Sequence, residues 1–263
     1  MKPIEVMSKY ETISTVLSII AIFLSVIIPF VQWAWKKWIM TVKVKFYPTG
    51  QAMLFFNQSG SYIRFNGVIE SENSAATIKK LSLVIMRKRD ERKLNLSWSC
   101  FISPVNQNML GNFVQTTESA HPFRVEADSV ACAFVEYSDS SDSSGKKIRR
   151  ICSDLLPSIQ RIVTVHPYDE ALALLRNSPE YIDAKNNLLS DFFWEIGEYT
   201  VVVSVKYGKE KTKSFTYEFV VTEQDSIELR SNIDESLISN LKDYYRVPRA
   251  FKSPIVVISE TKS

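Results

Sequence analysis

The chain has 263 residues, of which 45% are hydrophobic and 23% are charged, and its formal net charge is +3. This composition is typical of a folded globular protein and excludes a disordered chain. Acidic and basic residues are interspersed, so the sequence shows no basic footprint for nucleic acid, and we expect no specific nucleic-acid binding.

A short N-terminal tail, residues 1–12, precedes a run without a charged residue, residues 13–35. As a helix, residues 13–31 would extend about 28 Å, close to the bilayer's hydrocarbon thickness of about 30 Å. The run therefore predicts one transmembrane helix. A cleaved signal peptide is disfavoured, because the run is long and leads to no Ala-x-Ala site. A buried core helix is the other alternative, and such helices are usually shorter.

Aromatic and basic residues follow this run, as they do where a helix leaves a membrane. The predicted interfacial residues are Trp33, Trp35, Lys36, Lys37 and Trp38. More lysines lie after the run than before it, which favours an N-terminus outside the cell and a body in the cytoplasm. We therefore expect a single-pass protein of the inner membrane whose first partner is the lipid bilayer.

Small residues recur along the predicted transmembrane helix at Ser14, Ser18, Ala21 and Ser25. Helical geometry gathers these positions within an arc of about 60°. Small residues on one stripe let two helices approach closely, so the stripe predicts self-association. The alternative is that the serine hydroxyls bond to carbonyls of their own helix, one turn back.

From residue 41 the hydrophobic pattern changes to period two, which predicts strands through residues 41–225. The segment "RKRDER" is predicted to be a solvated hairpin tip, with phosphate binding as an alternative, and "SDSSDSSGKK" a flexible loop. Helical spacing in residues 146–193 predicts an insertion between strands. This insertion either carries function or covers the sheet. An amphipathic helix, residues 226–247 with Ser231 or Asn232 as its cap, and a loose tail, residues 248–263, complete the body.

No cofactor, metal or catalytic site is indicated. The three cysteines, Cys100, Cys132 and Cys152, are widely spaced, which favours neither a disulfide framework nor zinc, and Cys100 and Cys132 are expected to be small buried hydrophobes. His121 and His166 neighbour no nucleophile motif, and no glycine-rich phosphate loop is present. We therefore expect a protein that is not an enzyme.

Short-turned strands with "FNGVIESENSAATIKKLSLVI" and "GEYTVVVSV" resemble an immunoglobulin-like antiparallel β-sandwich. The resemblance implies a mainly β fold with helical insertions and a tyrosine corner at Tyr199, although the Cys-Trp-Cys arrangement of antibody domains is not matched. The chain also looks like bacterial proteins that tether a cytoplasmic β-rich domain to the membrane by one N-terminal helix. Some of those are antiviral sensors or effectors.

The function favoured by these features is a membrane-tethered, non-enzymatic binding or sensor module. Its β-sandwich would recognise a protein or small-molecule ligand, and the resemblance implies a setting in antiviral defence. A defence effector that disrupts the membrane through oligomerised helices is one alternative. A membrane-anchored hydrolase is another.

Overall fold

The computed structural model describes residues 3–35, 41–109 and 112–261. Strands account for 41% of the described residues, and they form a mainly antiparallel sheet. The strands are β1 (Lys43–Asn57), β2 (Gly60–Glu72), β3 (Ala76–Arg87), β4 (Lys93–Met109), β5 (Asn112–Ser119), β6 (Phe123–Val125), β7 (Ser129–Ala133), β8 (Val135–Ser138), β9 (Gly197–Tyr207), β10 (Lys211–Val221), β11 (Ile255–Val257) and β12 (Ser259–Glu260). The helices are α1 (Pro3–Ala34), α2 (Ser143–Asp154), α3 (Leu156–Val163), α4 (Tyr168–Arg176), α5 (Pro179–Asp191), α6 (Glu223–Leu237) and α7 (Ser239–Tyr244).

The sheet is one continuous, nearly closed barrel, and the expected immunoglobulin-like sandwich is not confirmed. Its strands follow the hydrogen-bonded order β11-β1-β2-β8-β4-β3-β9-β10-β12, with β5, β6 and β7 paired to β4, β3 and β2. Two packed sheets would leave two separate hydrogen-bonded paths, whereas the described strands share one. The alternation predicted for the strands is present, because one face of each long strand points into the core.

Residues 255–260 close the barrel between its two edge strands, β1 and β10. β11 pairs antiparallel with β1, and β12 pairs antiparallel with β10, so the two edge strands run parallel to each other. Val256 and Ile258 are buried between them, at 2% and 7% exposure. The Tyr217 hydroxyl also donates to the Phe46 carbonyl, 2.8 Å away across this seam.

The barrel has two ends that differ in their surroundings. The proximal end holds the start of β1, the β2–β3 turn and the β9–β10 turn, since Lys43 pairs with Glu72 and Ile78 with Tyr207. The distal end holds the β1–β2 and β3–β4 turns. Helices contact this distal end: Gln58 donates to the Ser239 hydroxyl of α7 at 2.5 Å. Buried residues of the helices and the barrel form one hydrophobic core.

The structure differs from the sequence prediction at the C-terminal helix and at the tail. α6 begins at Glu223, because Thr222 and Asp225 form a capping box one turn or more before the predicted caps. The segment after Pro248, expected to be loose, is held by a buried ion pair. Glu235 and Lys242 are 2.8 Å apart, and Glu235 also accepts a hydrogen bond from the Ala250 amide at 2.8 Å.

Part of the predicted flexible loop is also ordered, since Ser143 begins α2. The Asp139 carboxylate accepts hydrogen bonds from the amides and hydroxyls of Ser141 and Ser143. Burial opposes ionisation of Asp139, but these hydrogen bonds outweigh it and lower its pKa to about 2. Serine and aspartate in this segment therefore build a turn that leads into a helix.

Candidate functional site

Within α1, residues Ser14–Ala34 are apolar and long enough to span a membrane, judged by length and composition alone. None of this segment is buried against the described body, so it is not a core helix. Large apolar side chains are exposed all round it, and such a surface needs lipid or another protein to cover it. Trp33 and Trp35 lie at its end, about half exposed. Lys36, Lys37 and Trp38 lie outside the described residues.

The predicted stripe of small residues is exposed along α1 at Ser14, Ser18, Ala21 and Ser25. The Ser18 hydroxyl donates to the Ser14 carbonyl at 2.9 Å, and the Ser25 hydroxyl donates to the Ile22 carbonyl at 2.7 Å. These bonds are the alternative predicted for serines in a single helix. They leave the surface of the stripe open, so self-association stays a prediction.

The Tyr199 hydroxyl makes the hydrogen bonds to upstream backbone that a tyrosine corner requires. The Tyr199 side chain is fully buried, and its hydroxyl donates to the carbonyls of Phe193 at 3.0 Å and Glu195 at 2.7 Å. Burial raises the pKa of Tyr199 to about 12, so the hydroxyl stays protonated and keeps donating. This contact joins the end of the helical insertion to β9.

The basic hairpin between β3 and β4 holds the same segment from the other side. Arg87 is 3% exposed, pairs with Asp90 at 2.5 Å and reaches the Phe193 carbonyl at 3.3 Å. The hydrogen bond from Arg87 lowers the pKa of Asp90 to about 2. Arg89 pairs with Glu195 at 2.6 Å. The arginines of "RKRDER" therefore fasten the chain after α5, in addition to being partly solvated as predicted.

A cleft of about 290 Å³ opens at the distal end, where the helical insertion meets the barrel. Its size is near the lower limit for small-molecule sites. The cleft narrows because the β1–β2 turn approaches α2 closely: a Cβ on Gly60 would lie 3.0 Å from the Cβ of Ser144. Its floor is apolar and buried, and consists of Phe56, Ile148, Leu188 and Phe193.

The rim of this distal cleft is polar and carries more positive than negative charge. Lys147 forms an ion pair with Asp191, and Arg92 donates to the Asp191 carbonyl at 2.8 Å. Lys93 is exposed and has no ion pair among the described residues. Three basic residues, Arg92, Lys93 and Lys147, thus line the cleft beside one acidic residue, Asp191, above an apolar floor. This arrangement can hold an anionic group and an apolar moiety together.

Sequence reasoning did not find the cleft, because its lining comes from four separate segments of the chain. The available signals were the basic hairpin, for which phosphate binding was kept as an alternative, and the unusual helical insertion. Arg92 is the last residue of the first and Lys93 follows it directly, whereas Lys147 and Asp191 come from the second. Only the fold brings the two features together.

A second cluster of charges joins the helices at Asp234, on α6. Its carboxylate receives the Tyr181 hydroxyl and the Arg176 guanidinium, and Lys185 lies 3.5 Å away. Burial of Asp234 opposes ionisation, but the hydrogen bonds from Tyr181 and Arg176 outweigh it and lower the pKa of Asp234. Because Asp234 has three partners from α4 and α5, the cluster holds helices together.

The remaining reactive side chains are scattered. His121 contacts the Ser119 carbonyl, and His166 lies 3.2 Å from Glu170 in the insertion. All three cysteines are free; Cys152 is buried, but Cys132 is exposed, so its expected burial is wrong. Cys132 lies on a short strand whose outer face is open to solvent. Among the described residues, no group of three or more His, Cys, Asp or Glu side chains could hold a metal ion.

Comparison with known proteins identifies no family. No family model matches the chain, and no curated protein matches it significantly. A solved structure with detectable similarity is a family 123 glycoside hydrolase from Clostridium perfringens, studied for glycolipid glycan hydrolysis, at 11% identity and a TM-score of 0.29. The alignment covers 69% of this chain and 27% of that enzyme. Similarity at this TM-score supports no conclusion about the fold or activity of this chain.

Proposed function

We propose that the chain is a membrane-tethered, non-enzymatic binding module whose distal cleft recognises a small anionic ligand. In this proposal α1 spans the inner membrane with the N-terminus outside, and the barrel lies in the cytoplasm. The observation that carries the proposal is the distal cleft itself, which has an apolar floor and is lined by three basic residues and one acidic residue.

The position of the cleft suits a sensor. β1 runs from the proximal to the distal end and can separate them by up to about 45 Å. The cleft therefore opens away from the strand end that is joined to α1. It also touches both the barrel and the helical insertion, so a ligand there would contact two parts of the fold at once. Such a ligand stabilises the folded chain increasingly as its concentration rises above its Kd.

The test is ligand binding by the full chain in detergent, followed by thermal unfolding with inorganic phosphate, citrate and a nucleoside triphosphate as probes. We expect at least one probe to raise the melting temperature. Lys93→Ala or Lys147→Ala should weaken that binding about tenfold or more, as expected for a lost hydrogen bond to a charged group. Lys146→Ala is the matched control, since Lys146 is adjacent and exposed but does not line the cleft.

The cleft is excluded as the binding site if the probe binds equally strongly to Lys93→Ala, Lys147→Ala and Lys146→Ala. The proposal also fails if no probe raises the melting temperature. Two further outcomes would replace the proposal. Dye leakage from vesicles containing the full chain, on addition of a probe, would make it a membrane-disrupting effector. Turnover of a nucleotide or ester that is lost on one substitution in the cleft would make it a hydrolase.

A further inference from the structure

Lysines from two distant parts of the sequence meet at the proximal end of the barrel. They lie at the start of β3 and on the β9–β10 hairpin. The register pairs Lys80 with Lys206, so the start of β3 lies beside the β9–β10 hairpin. Lys211 and Lys213 pair with Tyr207 and Val205 and therefore belong to the other face of this hairpin, which is exposed there on both faces. This basic hairpin patch consists of Lys79, Lys80, Lys206, Lys209, Lys211 and Lys213.

The basic hairpin patch carries far more positive charge than the carboxylates beside it neutralise. Within residues 79–80 and 206–213 the single carboxylate is Glu210, which pairs with Lys79 at 3.6 Å and with Lys206. The other four lysines are exposed and form no ion pair among the described residues. Like charges side by side on neighbouring strands are unfavourable. The patch therefore suits an anionic surface that the chain itself does not provide.

The topology brings this patch to the end of the barrel that is joined to α1. Lys43 begins β1 at the proximal end, eight positions along the chain from Trp35 at the end of the apolar helix. A fully extended chain of this length reaches at most about 28 Å. If α1 is anchored in a bilayer, as the proposed function holds, the patch stays within a short distance of the headgroups.

We propose that the basic hairpin patch docks on the anionic lipid headgroups of the membrane that holds α1. The neighbouring β1–β2 side of the proximal end is charge-balanced, because Lys45 pairs with Glu72 and the Tyr47 hydroxyl donates to Glu70 at 2.8 Å. The barrel therefore leans on its β9–β10 side. A nucleic-acid partner is less suited, since residues 206–213 contain no arginine and their one aromatic residue, Tyr207, is buried.

The test uses the full chain in vesicles of neutral phosphatidylcholine, with or without phosphatidylglycerol. A membrane-impermeant amine reagent labels exposed lysines, and mass spectrometry measures the rate at each site. Lys209, Lys211 and Lys213 should label about fivefold more slowly in the anionic vesicles, the effect expected for lysine at an anionic surface. About 1 M salt should restore the rate, because it shortens the screening length to about 3 Å.

Lys146 is the internal control, since it is exposed on α2 at the distal end and does not line the cleft. Its labelling rate should be the same in both vesicle types. Equal rates for the patch lysines in the two vesicle types, or an equal slowing of Lys146, would overturn docking. Slowing by short duplex DNA in neutral vesicles, without slowing by phosphatidylglycerol, would reassign the patch to nucleic acid.

A charge-neutral variant tests the same surface without relying on the labelled residues. Lys209→Gln, Lys211→Gln and Lys213→Gln together should abolish the anionic slowing at Lys80, whereas Lys146→Gln should preserve it. Unchanged slowing at Lys80 in the triple variant would exclude the hairpin as the docking surface. Flotation with neutral vesicles after an alkaline wash reports the α1 anchor separately. Failure to float there, with salt-sensitive flotation on anionic vesicles, would reject the tether and retain the patch.

Discussion

Two buried tyrosines on the inner face of the barrel differ only in what their hydroxyls contact. Tyr199 donates to two carbonyls of the segment after α5. Tyr137 is fully buried, and its hydroxyl has no hydrogen-bond partner among the described residues. Burial alone raises the pKa of Tyr137 above its usual value. A satisfied buried hydroxyl stabilises a fold, whereas an unsatisfied one costs free energy.

Replacing each tyrosine with phenylalanine should therefore have opposite effects on stability. Tyr199→Phe should lower the free energy of unfolding by about 1 kcal/mol, because a bonded hydroxyl is lost. Tyr137→Phe should leave it unchanged or raise it by about 1 kcal/mol, because the ring stays and an unpaired polar atom goes. Chemical denaturation of the full chain in detergent measures both. If Tyr137→Phe lowers the free energy of unfolding as much as Tyr199→Phe does, the Tyr137 hydroxyl is not unsatisfied.

Only one of these tyrosines could be predicted from the sequence. Tyr199 opens a clearly alternating strand after a glycine, and that position has a recognisable role in β-rich domains. Tyr137 lies in a strand of four residues, too short to show which neighbours its hydroxyl meets. Arg87 and Arg92 are similar, since they donate to the carbonyls of Phe193 and Asp191, and backbone carbonyls carry no sequence signal.

The C-terminal segment is the element on which the barrel depends most. Strand alternation is visible in the sequence, but it is the same for two packed sheets and for one closed sheet. The choice is made by residues 255–260, which pair with both edge strands. Their sequence is short and follows a proline, so the sequence alone predicts a loose tail there. The segment also covers edges that would otherwise be free to pair with other chains.

Single substitutions in this segment should separate its buried face from its exposed face. Ile258→Ala should lower the free energy of unfolding by about 2 kcal/mol or more, as for other buried isoleucines. Val257→Ala is the matched control and should have little effect, because Val257 is 72% exposed. Thermal unfolding and hydrogen exchange at β1 and β10 measure the loss. Equal stability of the two variants would show that the segment does not close the barrel.

At the scale of the whole molecule, the exposed apolar helix needs lipid or another protein to cover it, whereas the folded barrel buries its own apolar core. The apolar run is read directly from the sequence, because length and composition define it. The distal cleft could not be predicted from the sequence, because its walls come together only through strand pairing and helix packing. The lysines after α1 were visible as a cluster, whereas the basic hairpin patch needed the register of β3 with β9.

Self-association through α1 is testable at this scale. Ser18→Leu with Ala21→Leu should abolish chemically crosslinked oligomers of the full chain in membranes, because bulky side chains keep the helix backbones apart. Ile19→Leu with Ile20→Leu is the control, since it alters apolar positions outside the stripe without adding bulk. Unchanged crosslinking in the first variant would contradict self-association through the stripe. The role of its serines would then be the hydrogen bonds to carbonyls of their own helix.

The seam between β1 and β10 also sets an order of events during synthesis. β1 is among the first parts of the body to be made, yet its outer edge is covered by a segment that is translated after every other strand and after both C-terminal helices. The barrel cannot close until residue 260 has left the ribosome. If α1 has entered the bilayer by then, the body completes its folding while it is tethered to the membrane. Its two edge strands stay unpaired on their outer sides until residues 255–260 cover them.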